Sequence, residues 1–164
     1  MMSEEIIKLL ERHFAKDKRQ WVTFKELRVG TGYRIAREPN NPEQRIDFWA
    51  LNCYQTKKFE KIAFEIKVSR SDFLSEIKNP EKRQRALSLS NRFYFAAPKG
   101  LIKPEEIPSE CGLVEFQSGS TRLYWTMLAP WRDVQEPSWS FLASLARRII
   151  KCENGATLKA VSGT

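Results

Sequence analysis

The chain has 164 residues, with 28 Lys and Arg against 20 Asp and Glu, and a formal net charge of +8. That length suits one domain with its own apolar core, and the basic balance favours a polyanionic partner such as nucleic acid. No apolar run reaches the roughly 18 residues of a membrane span, no signal-like stretch follows Met1-Met2-Ser3-Glu4-Glu5, and three scattered cysteines exclude a disulfide framework, so a soluble cytoplasmic protein with no membrane partner is expected.

Residues 3 to 16 place Ile6, Ile7, Leu9, Leu10 and Phe14 at helical spacing behind Ser3 and two acids, which predicts an amphipathic first helix. Trp21 to Val29 and Arg45 to Leu51 read as strands, separated by Gly30-Thr31-Gly32 and the turn-rich Glu38-Pro39-Asn40-Asn41-Pro42. Gln55-Thr56-Lys57-Lys58 turns the chain into a third strand, Ile62 to Val68. Ser69 or Ser71 can cap the next helix and Pro80 can begin a second helical piece ending near Ser90, before the strand Arg92 to Ala97. Strand, helix, strand is a crossover unit, so this part of the sheet should be parallel with helices packed on it. Gly112 to Phe116 and Arg122 to Leu128 supply later strands, and Pro137-Ser138 opens a last helix with Phe141, Leu142, Leu145 and Ile149 on one face. Without an internal repeat or linker, one domain over residues 1–153 is expected, with 154–164 a disordered tail.

The informative feature lies in the third strand. A strand has a side-chain period of two, so Glu65 and Lys67 share one face while Phe64, Ile66 and Val68 share the other. In an apolar strand an unpaired charge costs several kcal/mol, so the pair needs a reason to be there. One reason is a salt bridge on an exposed sheet face, which alternation alone would also allow. The other is chemistry. Asp47 lies one strand earlier, and with Glu65 it offers the hard oxygen ligands that Mg²⁺ or Mn²⁺ takes, while the Lys67 ammonium can steady an attacking water or the charge that develops on a phosphate. His13 is the only histidine, which excludes nucleases built on several histidines and His-rich zinc sites, and no glycine-rich phosphate loop signals an ATP or dinucleotide site.

Asp47, then Glu65, one residue, and Lys67 resemble the signature of the PD-(D/E)XK, or restriction-endonuclease-like, nuclease superfamily. Ala63-Phe64-Glu65-Ile66-Lys67-Val68-Ser69-Arg70-Ser71-Asp72-Phe73-Leu74 followed by Asn91-Arg92-Phe93-Tyr94-Phe95-Ala96-Ala97-Pro98 is similar to the MmcB-like DNA-repair proteins within it. The likeness covers roughly residues 21 to 116, and Ile46 stands where the superfamily's name has a Pro. It implies a three-layer α/β/α fold with a central mixed sheet. It also implies a metal-dependent DNA endonuclease or repair nuclease that leaves 5′-phosphate and 3′-hydroxyl ends, with Asp47, Glu65 and Lys67 catalytic and Asp47 and Glu65 holding Mg²⁺ or Mn²⁺. The alternative is a non-catalytic nucleic-acid-binding module on the same fold.

The superfamily usually adds an acid from the first helix. Glu11, at the border of that helix's apolar face, and Glu26, in the extended segment entering the core, compete for the place, with Glu26 slightly ahead; a solvated carboxylate describes either as well. Ser69 and Arg70, just beyond the strand end, together with Lys82, Arg83 and Gln84 on the following helix, are candidates for DNA contact, beside Lys78 and Arg85; a solvated helix face accounts for the cluster equally. Arg28, Arg34, Arg37 and Arg45 flank the loop before Asp47 and could clamp DNA from the other side. A domain with one active site must pair with a second copy to cut both strands at once, so a homodimer fits this reading.

Overall fold

The computed structural model describes residues 2–29 and 45–161, with side chains through Lys151. Arg34, Arg37 and the turn residues between Gly30 and Pro42 lie outside the described residues. Four helices and six strands follow in the order α1 (Met2–Phe14), β1 (Trp21–Arg28), β2 (Arg45–Asn52), β3 (Lys61–Ile66), α2 (Arg70–Lys78), α3 (Glu81–Ser88), β4 (Arg92–Pro98), β5 (Gly112–Phe116), β6 (Leu123–Met127) and α4 (Trp139–Val161).

The strands form one mixed sheet in sequence order. β1 and β2 pair antiparallel from Trp21 opposite Asn52 to Arg28 opposite Arg45. β2 and β3 continue antiparallel, joined by a tight connection in which Lys58 and Phe59 have φ values of 54° and 49°. β3, β4 and β5 then run parallel, with α2 and α3 forming the crossover from β3 to β4, as the strand, helix, strand pattern predicts. β6 turns back antiparallel to β5.

Both faces of the sheet are covered, which explains why β4 is apolar at nearly every position. On one side α1 lays Ile6, Leu9, Leu10 and Phe14 against Phe48, Phe64, Tyr94, Ala96 and Val114. The other side collects Phe73 of α2, Ala86 and Leu87 of α3, and Phe141 and Leu145 of α4 over Trp49, Phe93, Phe95 and Leu113. Ser69 and Ser138 accept hydrogen bonds from the amides of Asp72 and Phe141, each at 3.2 Å, and so cap α2 and α4. In α4 only part of the expected apolar face is used. Phe141 and Leu145 are buried, whereas Leu142 and Ile149 stay exposed, because the sheet's hydrophobic surface ends beneath the first turns. The backbone of α4 runs to Val161, beyond Asn154, where the sequence places the start of a tail. No helix among the described residues is long and apolar enough to cross a membrane.

Several buried polar groups tie this frame together, although the Nε atoms of Arg83 and Arg132 are buried with no hydrogen-bond partner among the described residues. Trp49 donates its indole N–H to the carbonyl of Leu89 at 3.1 Å, tying β2 to the end of α3. Buried Asn91 accepts from the amide of Lys61 and donates to the carbonyl of Arg132, both at 2.9 Å, so it fastens the start of β3 to the segment after β6. These ties leave the opposite end of β3 as the place where the sheet opens.

Candidate active site

The ladder between β2 and β3 is regular from Leu51 opposite Lys61 to Phe48 opposite Phe64. The next pair in that register would be Asp47 opposite Glu65. Here the ladder stops, and a side chain takes over the main-chain role: the Ile66 amide donates to Oδ2 of Asp47 at 2.8 Å. β3 remains fastened to β4 on its other side, with Glu65 beside Phe95, Ile66 beside Ala96, and the Lys67 amide bonded to the Ala96 carbonyl at 2.9 Å. Two strands that part on one side and stay paired on the other leave a notch, and the Asp47 and Glu65 carboxylates stand at its mouth.

Alternation places Phe64 and Ile66 in the core beneath α1, so Glu65 and Lys67 face the α2 side. Lys67 is only 4% exposed. Its Nζ lies 3.0 Å from Oε1 of Glu65 and 3.5 Å from carboxylate oxygens of both Asp72 and Glu76. The salt bridge on an exposed sheet face that the sequence also allowed is therefore not what forms. α2 begins directly after β3 and folds back over its end, enclosing the ammonium among carboxylates from a strand and a helix.

The electrostatics are unbalanced. Lys67 is one positive charge beside Glu65, Asp72 and Glu76, with Asp47 across the notch. Burial raises the Glu65 carboxyl, the Asp47 charge raises it further, and Lys67 only partly opposes them, so Glu65 titrates near 7. Burial also raises Asp47, against the opposing pull of the Ile66 N–H and of Lys67. Lys67 itself is held charged: burial alone would lower its pKa, but Glu65, Glu76 and Asp72 together move it upward. A buried excess of negative charge at two facing carboxylates is relieved by a proton or by a cation.

Among the described residues no group of three or more His, Cys, Asp and Glu side chains is arranged to hold a metal by itself. Mg²⁺ does not need one, because it keeps several waters and takes one or two carboxylates with substrate oxygens. Oε1 of Glu65 is occupied by Lys67 and Oδ2 of Asp47 by Ile66, which leaves the other oxygen of each carboxylate to a ligand. The donor set therefore fits a divalent cation shared by Asp47 and Glu65.

Of the two candidates for a third acid, Glu26 is the one whose charge acts on Asp47. It sits in β1 with φ of 46°, a left-handed conformation uncommon for a residue with a side chain, and Arg45 lies 4.0 Å from it. Glu11 instead pairs with Lys25 at 2.9 Å, on α1. Ser69 is the cap of α2. Arg70 forms a two-pronged pair with Glu106 and also donates to the Leu101 carbonyl, which draws it toward the loop after β4. Lys82 and Gln84 are exposed on α3, and Lys78 is exposed at the end of α2. Arg83 departs from the expected nucleic-acid face. It is 4% exposed, donates to the Glu76 carbonyl at 3.1 Å, lies 3.3 Å from Glu110, and stacks over Phe95, so it fastens α3 to α2 and the sheet instead of meeting a phosphate.

Asp72 and Glu76 are participants that the sequence reading missed. The signal was present, since they are four residues apart on one helical face and Glu76 follows Phe73, the apolar residue that α2 buries, by three. No family model matches the chain, and no curated protein matches it. The fold does have a solved counterpart. The SPO1766 protein of unknown function from Silicibacter pomeroyi superposes with a TM-score of 0.60 at 18% identity, over 97% of this chain and 92% of that one. That likeness speaks for the fold alone.

Proposed function

We propose that this protein is a metal-dependent deoxyribonuclease of the PD-(D/E)XK, restriction-endonuclease-like kind, akin to the MmcB-like repair proteins, and that its sheet and flanking helices are that superfamily's three-layer α/β/α arrangement. The observation that carries the reading is the notch where β2 and β3 part. There Asp47 and Glu65 face each other, each with an oxygen to spare, and Lys67 lies 3.0 Å from Glu65.

In this reading Asp47 and Glu65 would hold Mg²⁺ or Mn²⁺, and Glu26, whose charge acts on Asp47, would add to the field at the ion. The ion, when bound, supplies Lewis acidity at the scissile phosphate and a more acidic water. Lys67 would orient the attacking water and offset charge on the phosphate oxygens. Asp72 and Glu76 keep the Lys67 ammonium charged and aimed along the strand end. The reading brings with it DNA as partner, a cytoplasmic location and, where both strands are cut, a homodimer.

One observation favours the alternative, a nucleic-acid-binding module without turnover: Lys67 is already surrounded by three carboxylates, as in a purely structural ion-pair network. The two readings part on cleavage. Supercoiled, linear and branched DNA are incubated with the protein in Mg²⁺, Mn²⁺ or EDTA, alongside Asp47→Ala and Lys67→Ala. Cleavage that requires metal and falls by about a thousandfold or more in both variants supports the nuclease. Absence of cleavage under every condition, or cleavage that survives both substitutions, contradicts it.

A further inference from the structure

Arg83 sits inside the protein at a cost. A guanidinium withdrawn from water with its Nε unpaired among the described residues is harder to bury than an apolar side chain of the same volume, so its place between α2 and α3 needs a reason. Its two terminal nitrogens supply one. Nη1 donates to the Glu76 carbonyl at 3.1 Å, the same oxygen that the Asn79 amide reaches at 3.1 Å, and Nη2 lies 3.3 Å from Oε1 of Glu110. Glu110 is fixed in turn, because Arg132 donates to its carbonyl at 2.7 Å. The planar fork thus ties the last turn of α2 to the segment before β5, and it rests over Phe95, the neighbour of Glu65 in the ladder of β3 and β4.

Glu76 joins this fork to the notch. Arg83 grips its main-chain carbonyl, while its buried carboxylate reaches the Lys67 ammonium at 3.5 Å. The last carbonyls of a helix lack partners within it, and a cation that binds them holds the final turn in place. If that turn unwound, Glu76 would leave Lys67, and the ammonium would settle more closely on Glu65, already 3.0 Å away. We propose that Arg83 is a positioning residue: by fixing the end of α2 it sets the Glu76 carboxylate on Lys67, which keeps the ammonium shared and leaves Glu65 available. The proposal rests on the nuclease reading for its effect on cleavage, and it adds a residue of α3 that acts on the site through Glu76.

The test measures single-turnover cleavage of supercoiled DNA in Mn²⁺ at saturating protein, and binding of the same DNA in EDTA, for Arg83→Met, Glu76→Gln and the double variant. Glu76→Gln keeps the main-chain carbonyl, so the bond from Arg83 survives in it and only the carboxylate's charge is removed. Arg83→Met should slow cleavage by about tenfold or more and change DNA affinity by less than about twofold. Made in Glu76→Gln, the same substitution should slow cleavage by no more than about a further twofold, because the two residues act as one unit. Arg83→Lys, which can meet one acceptor but not both, should recover part of the rate.

No slowing in Arg83→Met, equal slowing in both backgrounds, or a loss of DNA affinity that accounts for the slower rate would overturn the proposal and leave the nuclease reading intact. If Arg83→Met does not fold, Glu110→Gln, which weakens only the outer prong, is compared in the same two backgrounds; a slowing that vanishes in Glu76→Gln supports the proposal, and one that persists overturns it. A wild type that cleaves nothing removes the nuclease reading, and thermal unfolding then decides the positioning role. The fall in Tm caused by Arg83→Met, or by Glu110→Gln where that variant serves, should be smaller in Glu76→Gln than in wild type, whereas equal falls would reduce Arg83 to a helix cap and overturn the proposal.

Discussion

Lys67 is a buried cation whose ion-pair partners are Glu65, Asp72 and Glu76, so its removal should be felt first as instability. Lys67→Met leaves Glu65, Asp72 and Glu76 facing one another without compensation, a loss of about 3–5 kcal/mol when one member of a buried ion network is deleted. Thermal unfolding should show a large drop in Tm for Lys67→Met and partial recovery when Glu76→Gln is added. An unchanged Tm would mean that the network carries no load. Glu65 makes a second prediction, on pH. Its carboxyl moves from the usual 4.5 to about 7, so between those values the folded chain keeps a proton that the unfolded chain has lost. Its contribution to stability is therefore full below pH 4.5 and disappears as pH rises to about 7. In EDTA, denaturation across this window should show wild type losing stability relative to Glu65→Gln. A difference that stays constant with pH would contradict the shift.

At the scale of elements, the parting of β2 from β3 depends on the sheet being held firmly elsewhere, and β5 is one such place. A methyl group at Gly112 would stand 2.5 Å from the Ala129 amide and 2.6 Å from the Met127 carbonyl, both main-chain atoms that cannot swing aside. Gly112→Ala should destabilise by about 1–3 kcal/mol, read as a lower urea midpoint with unchanged slope, because β6 must shift to admit it. A midpoint equal to wild type would show that β6 yields without cost. Helices and strands were legible in the sequence because their cues are local: alternation in β3, the apolar run of β4, Ser69 and Ser138 as caps, and apolar spacing in α1. The close approach at Gly112 was not, since it depends on which strands become neighbours. For the same reason Arg83 looked like one of several solvated cations, although burial against Phe95 gives it a different role. Asp47 and Glu65 were legible as residues. That Asp47 also serves as the acceptor for the Ile66 amide was not, because the register that ends at Phe48 and Phe64 is a property of the folded sheet.

For the whole molecule, two layers of helix on a six-stranded mixed sheet leave the end of β3 as the point where charge collects. The chain carries +8, yet this notch is locally acidic, with Glu65, Asp72 and Glu76 around the Lys67 ammonium. In the proposed reading the net positive charge favours a polyanionic partner and the acidic notch a cation. The account turns on that cation. The most direct measurement is calorimetric titration of Mn²⁺ into the EDTA-stripped protein and into Asp47→Asn, in two buffers of different ionisation heat at about pH 7. One site should appear, its heat should depend on the buffer because Glu65 releases its proton to the buffer as the metal binds, and Asp47→Asn should lose most of the affinity. Absence of binding, or binding that Asp47→Asn leaves unchanged, would contradict a metal held between Asp47 and Glu65 and leave Lys67 and its carboxylates as a structural ion-pair network.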